Sequence, residues 1–213
     1  MNLARKISAL ALAAALAGCQ SVATDGAGAG SAELGYAAEF PKLTCAAYGA
    51  PAGKAATLTA SRVRPGDRAY MEFRSRTTLS IPTGHTYVVF GRLDDKGNPV
   101  TRQYVGLFPK GGVAGFYAGS IAPIDADLAP DITDCSYHVN SAYRVSLTED
   151  QYSRLLGKVR SALASPPKWR MVGMNCNTFA VSLGSVAGLS APANIDQPSF
   201  TFLPAYIKAN GDG

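Results

Sequence analysis

The sequence predicts an α+β domain in which an antiparallel β-sheet packs against a helix that begins at a cysteine. Three observations predict it. Runs rich in β-branched and aromatic residues are separated by turn sequences, which reads as hairpins. A helix is signalled by a capping box at Thr148 and Gln151. In Met174-Asn175-Cys176-Asn177-Thr178-Phe179-Ala180, Asn175 is a good N-cap, Cys176 falls on the first helical residue, and Phe179, Leu183 and Val186 repeat at helical spacing.

Residues 31–54 hold Pro41, Pro51 and several glycines, which predicts an irregular segment wrapping the surface. Residues 57–63 and 68–76 read as one hairpin joined by Arg64-Pro65-Gly66-Asp67. Residues 85–93 form a second strand, His85 to Leu93, that turns at Asp94-Asp95-Lys96-Gly97-Asn98-Pro99 and returns over 100–108. By alternation His85 shares a face with Tyr87, Val89 and Gly91. Gly111-Gly112 and Gly115 precede a long loop over 122–134, and 136–147 is extended again. The helix after Thr148 carries Leu147 and Tyr152 as a staple, Glu149 and Asp150 at its positive end, and Tyr152, Leu155, Leu156, Val159 and Leu163 as its buried stripe. Ser165-Pro166-Pro167 stops it, residues 169–174 cross to the Cys176 helix, and Gly188 ends that helix. Beyond Pro192 and Pro198, residues 203–209 read as a short final helix. No internal repeat is present.

The first residues sort the chain by compartment. Arg5 and Lys6 precede an apolar run over 7–17, too short to anchor a bilayer and shaped like a secretory signal. Leu16-Ala17-Gly18-Cys19 resembles a bacterial lipobox, which implies cleavage before Cys19 and acylation of its thiol and new amino group. Residues 1–18 then form the signal peptide, 19–33 a flexible Gly-, Ala- and Ser-rich tether, and 34–213 one domain. Gln20 after the cysteine resembles the outer-membrane default, placing the body on the periplasmic face. The formal charge of +5 falls to about +3 without Arg5 and Lys6, and the remaining cations are scattered, so nothing points to nucleic acid. In an oxidising compartment the four cysteines sort into Cys19 for lipid, Cys45 and Cys135 as a possible disulfide, and Cys176 left over. Cys176 bridged to Cys45 or Cys135 is the structural alternative.

A thiol at a helix N-terminus meets unpaired N–H groups and the positive end of the helix dipole. Both stabilise a thiolate and a developing oxyanion. A histidine at a strand end beside a turn can reach such a terminus. Gly84-His85 before an apolar strand, followed by Asn175-Cys176-Asn177-Thr178-Phe179 at a helix start, resembles the circularly permuted papain-like superfamily: NlpC-type peptidases, lecithin:retinol acyltransferase-like enzymes and PPPDE peptidases. In that group the histidine precedes the cysteine, and the likeness spans about half the chain, from Gly84 to Gly188. The resemblance implies a permuted papain-like sheet-and-helix fold, Cys176 as nucleophile and His85 as general base and later acid. It also implies an orienting third residue on the strand after the histidine, Gln103 or Tyr104, with Asp94 and Asp95 as weaker choices; His138 is the other histidine.

Other chemistries fit less well. Two histidines about fifty residues apart offer no metal-ligand spacing, so neither metal nor cofactor is expected. Leu183-Gly184-Ser185-Val186-Ala187 lacks the second glycine of a serine-hydrolase elbow. The expectation is an envelope-anchored thiol hydrolase or acyltransferase working through a thioester on peptidoglycan peptides or lipid-derived acyl groups. A non-catalytic papain-like binding or scaffold lipoprotein is the alternative. Oligomeric state and substrate are not legible.

Overall fold

The computed structural model describes residues 37–50, 55–77, 83–130, 132–136 and 138–211. The expected signal peptide, the lipobox-like sequence with Cys19 and the expected tether lie outside the described residues. Among the described residues no helix is long and apolar enough to cross a membrane.

The architecture is α+β. Strands β1 (Ala60–Arg62), β2 (Ala69–Arg76), β3 (His85–Arg92), β4 (Gln103–Val105) and the later β7 make one five-stranded sheet. Strands β5 (Phe108–Pro109) and β6 (Ala126–Asp127) form a small second sheet, with helix α1 (Gly112–Ile121) between them. Helix α2 (Ile132–Ser136) leads to β7 (Ser141–Leu147), followed by α3 (Glu149–Ala164), α4 (Cys176–Gly184) and α5 (Ser199–Asn210).

The main sheet runs β1-β7-β2-β3-β4 and is mixed rather than antiparallel, because β1 pairs with β7 in parallel. This corrects the expected first hairpin. Asp67 N–H does donate to the Arg64 carbonyl at 3.3 Å, so the turn forms. It passes over the end of β7, however, where Ser146 Oγ accepts from Arg64 N–H and donates to Asp67. β2 already has β3 on one edge and β7 on the other, so β1 must find the outer edge of β7. The second hairpin stands, with Phe90 opposite Gln103 and Val88 opposite Val105, though its return strand is only three residues long. Two further expectations change. The long loop over 122–134 contains β6 and the start of α2, and the extended run begins at Ser141 rather than at residue 136.

Period-2 alternation gives the sheet two unlike faces. Met71, Phe73, Val88, Phe90, Tyr143 and Val145 face α3, α4 and α5 and form the main core. α3 is capped as its sequence requires, Thr148 Oγ1 accepting from Gln151 N–H while Gln151 Oε1 accepts from Thr148 N–H, and Tyr152, Leu155 and Val159 are buried; of the rest of the expected stripe, Leu156 is half-buried and Leu163, on the last turn beyond the sheet's cover, is 38% exposed. The final helix begins at Ser199, earlier than the sequence reading placed it.

The opposite face carries Tyr70, Tyr87, Val89 and Tyr104 and is covered by the second of two short 3₁₀ turns, Cys45–Tyr48, while the first, Pro41–Leu43, gives its buried Leu43 to the main core. Cys45 and Cys135 are disulfide-bonded, tying that cover to α2. Also buried on this face is Glu72, whose carboxylate accepts from Arg74 Nε at 2.6 Å and from Arg144 Nε at 2.7 Å.

Candidate functional site

Cys176 is seated by its neighbours on either side. Asn175 Oδ1 accepts from the N–H groups of Asn177 and Thr178, and Thr178 Oγ1 accepts from Asn175 N–H, closing a capping box around the thiol. Such caps are worth roughly 0.5–2 kcal/mol. Asn175 Nδ2 also donates to the Met171 carbonyl and to Asp196 Oδ1, each at 2.8 Å. Asn177 is buried: its Oδ1 accepts from Thr86 Oγ1 at 2.7 Å, and its Nδ2 donates to the carbonyls of Ile195 and Gln197. One asparagine thus joins the start of β3, the start of α4 and the strap that precedes α5.

The thiol is half-buried, and Sγ lies 3.8 Å from both Ser199 Oγ and Asn177 Oδ1. Burial pushes its pKa above the ordinary thiol value. The backbone N–H groups of Thr86, Asn177 and Cys176 and the Ser199 hydroxyl pull the other way without overcoming that burial. This departs from the thiolate expected of a helix N-terminus. Desolvation of the charged form outweighs the hydrogen bonds that favour it here.

His85 lies at the head of β3 and is 8% exposed. Its ring is parallel to Tyr87 at 5.8 Å and tilted over Phe108 at 4.0 Å between centroids. Nε2 is buried without a hydrogen-bond partner and faces Gly106, where an added Cβ would come within 2.7 Å of it. Burial first, then the positive field of Arg76, push its pKa well below the ordinary histidine value. The histidine side chain belongs with Tyr87 to the second face, whereas Thr86, one residue on, binds Asn177 of α4 on the first. Cys176 and His85 therefore belong to opposite faces of the sheet, both near the start of β3. Both line one cleft of about 790 Å³, but no hydrogen bond joins them.

A histidine whose pKa is lower in the folded than in the unfolded chain leaves the unfolded chain with more bound protons below pH 6.5. Its contribution to stability is complete above that pH and is lost as pH falls toward the folded value. The His85 ring should accordingly take up its proton only below pH 6.5, where an ordinary histidine is already half charged. Proton NMR of its Cε1–H checks this, and a titration midpoint at or above 6.5 would contradict the buried, unpartnered seat.

The other sequence-derived residues are placed as follows. Gln103 is buried facing the main core, donates to Glu39 and accepts from Phe40 N–H, so it secures the segment before the first 3₁₀ turn. Tyr104 stacks on Tyr87 at 6.4 Å and meets His85 only through that ring. Asp94 caps its own turn by accepting from the N–H groups of Lys96 and Asn98, and Asp95 pairs with Arg68; both lie past the far end of β3 from His85. His138 is exposed and does not line the cleft. Against the strand position that carries His85 stands Arg76, held by Asp134 through Nε at 2.6 Å.

Sequence reasoning missed Thr86, Asn177, Asp196 and Ser199. Only Asn177 carried a local signal, the Asn-Cys-Asn repeat; the others arrive from elements 20 or more residues away. Among the described residues no cluster of three or more His, Cys, Asp or Glu could hold a metal ion. No family model matches the chain, and comparison with curated proteins and with solved structures also gave no match.

Proposed function

We propose that the chain is an envelope-anchored thiol hydrolase or acyltransferase on a permuted papain-like arrangement, with Cys176 as nucleophile and His85 as proton carrier. The observation that carries this reading is the seat of Cys176: a lone thiol on a doubly capped helix start, open to a large cleft and surrounded by three backbone N–H groups and a hydroxyl. In the proposed reaction Sγ attacks an acyl carbonyl, the imidazole takes the thiol proton and passes it to the leaving oxygen or nitrogen, and a thioester forms. Water or an acceptor hydroxyl then attacks the thioester, the imidazole takes the proton of that attacking group, and Sγ leaves and receives this proton to restore the thiol. Proton transfer needs a ring nitrogen within about 3 Å of Sγ, and since no hydrogen bond joins the two groups here, thiol and imidazole must draw together when substrate enters. The walls of the cleft include Leu107, Phe108, Phe116 and Trp169, which suit an acyl chain better than the charged peptide stem of peptidoglycan. Acylation at Cys19 would hold this body to the periplasmic face of the outer membrane.

The test is adduct formation. Incubated with a p-nitrophenyl acyl ester, the protein should gain one acyl mass on the Cys176 peptide, and neutral hydroxylamine should remove it as a thioester. Absence of any adduct on Cys176 across short and long acyl chains would sink the reading. A binding module is the second reading, favoured by the protonated thiol and the unpaired His85; it predicts saturable retention of an acyl ligand with no adduct.

A further inference from the structure

Helix α1 has the sequence Gly-Val-Ala-Gly-Phe-Tyr-Ala-Gly-Ser-Ile, without one charged residue. A helix that is apolar all round is normally buried all round. Here only one side is. Gly115 and Gly119 let the helix sit tightly inward, since a Cβ at Gly119 would come within 2.2 Å of the Trp169 ring, and Phe116 packs on that ring at 5.7 Å. The outward side shows Val113, Tyr117 and Ile121 at four-residue spacing, with Tyr117 63% and Ile121 83% exposed. The 169–174 segment runs alongside, Met171 N–H donating to the Gly119 carbonyl, and adds Val172, 62% exposed. Lys110, Lys168 and Arg170 are exposed around this patch against the carboxylates of Asp125 and Asp127, and Lys168 is paired with Asp125. Val113 and Phe116 also line the cleft that holds Cys176, so one helix is both wall of the cleft and outer surface.

We infer that α1 and the 169–174 segment form a docking face for a phospholipid surface, seating the mouth of the cleft against the acyl chains. Isolated exposed apolar residues need no partner, but a row of them adjoining an apolar cleft, with Lys110 and Arg170 exposed at its margin, suits contact with a lipid surface. A lipid surface is favoured over a protein partner because the stripe adjoins an apolar cleft with which chains could exchange. The lipobox reading supports the same occupant: if Cys19 carries the anchor, 17 residues (20–36) separate it from the described body, a reach of at most about 60 Å. The inference rests on that reading only for proximity and does not depend on Cys176 chemistry.

Trp169, the single tryptophan, lies directly beneath α1 and reports on the face. The test uses the full chain carrying Cys19→Ser, so that no acyl anchor can form, mixed with phosphatidylglycerol–phosphatidylethanolamine vesicles whose acyl chains are brominated. Trp169 emission should be quenched, and Tyr117→Asp with Ile121→Asp should reduce that quenching at least fivefold while leaving the circular dichroism spectrum unchanged. Attachment through the apolar run at 7–17 alone would leave Trp169 unquenched in both proteins, which would overturn the proposal. So would equal quenching with and without the two aspartates, or a solution dimer that the aspartates convert to monomer, since a second copy would then own the face. Failure of anchoring is separate: it would appear as an unacylated Cys19 in the intact mass of the envelope-expressed wild-type chain.

Discussion

Cys176→Ala should abolish acyl transfer, lowering turnover of an activated acyl ester by at least about a thousandfold, while the melting temperature moves by only a few degrees. The two effects separate because the thiol contributes little to packing. Sγ is half-buried and its nearest polar partners stand at 3.8 Å, so its loss removes one small group and no short hydrogen bond. Removing a nucleophile, by contrast, removes the covalent step itself. Asn175 provides the contrasting case, since its side chain holds two helix N–H groups, a carbonyl and Asp196, and replacing it would disturb both seat and fold. The raised thiol pKa adds a pH signature. With the folded value above the ordinary one, the thiolate fraction at neutral pH is small, and alkylation by iodoacetamide should be slower than that of free cysteine and keep rising beyond pH 9. Unimpaired turnover in Cys176→Ala would end the nucleophile assignment. Alkylation faster than free cysteine at pH 6 would instead reveal an imidazolium–thiolate pair in the resting protein.

Glu72→Gln should be the most damaging single change away from the cleft, costing about 3–5 kcal/mol and lowering the melting temperature by roughly 10–15 °C. Glu72 is fully buried and its two carboxylate oxygens each serve a guanidinium, Arg74 at 2.6 Å and Arg144 at 2.6 Å. The amide keeps the shape but leaves two positive charges on a buried face with no negative charge between them. The aromatic rings beneath, Tyr104 under Arg74 and Tyr70 under Arg144, soften this only in part. The whole stability of a domain is about 5–15 kcal/mol, so the loss is a large share. Replacing all three residues together, Glu72→Leu with Arg74→Met and Arg144→Met, should cost far less than the single change, since no charge is then stranded. A Glu72→Gln protein that melts within two degrees of the wild type would show that the triad is wet or loosely held.

What could be read from the chain alone was what is local. The capping box at Thr148, the cap at Asn175 and the turn at Asp94 declare themselves within a few residues, and all three form as their side chains dictate. β1 was misplaced because a strand's pairing partner is not encoded in its own alternation, and the Arg64–Asp67 turn can equally fold back or pass over a neighbour. Helix α1 left no readable signal, since a stretch apolar on every side and holding three glycines offers no polar face against which a helical period could be read. At the site, the head of β3 and the start of α4 could be named from sequence, but Ser199 and the Asn177–Thr86 bond depend on how distant elements close on one another. The alternation that put His85 with Tyr87 held, and its consequence, a ring on the far face from α4, follows only once the sheet is known to have helices on one side.

The disulfide gives the two-faced sheet a further meaning. In oxidising surroundings the described part of the chain would offer three thiols and therefore three ways to join two of them. Cys45 and Cys135 find each other on one side of the strands, while Cys176 is carried on a helix on the other side. Once the strands are laid down they act as a partition between redox traffic and a reduced sulfur, so that correct folding is itself what keeps Cys176 from being scrambled.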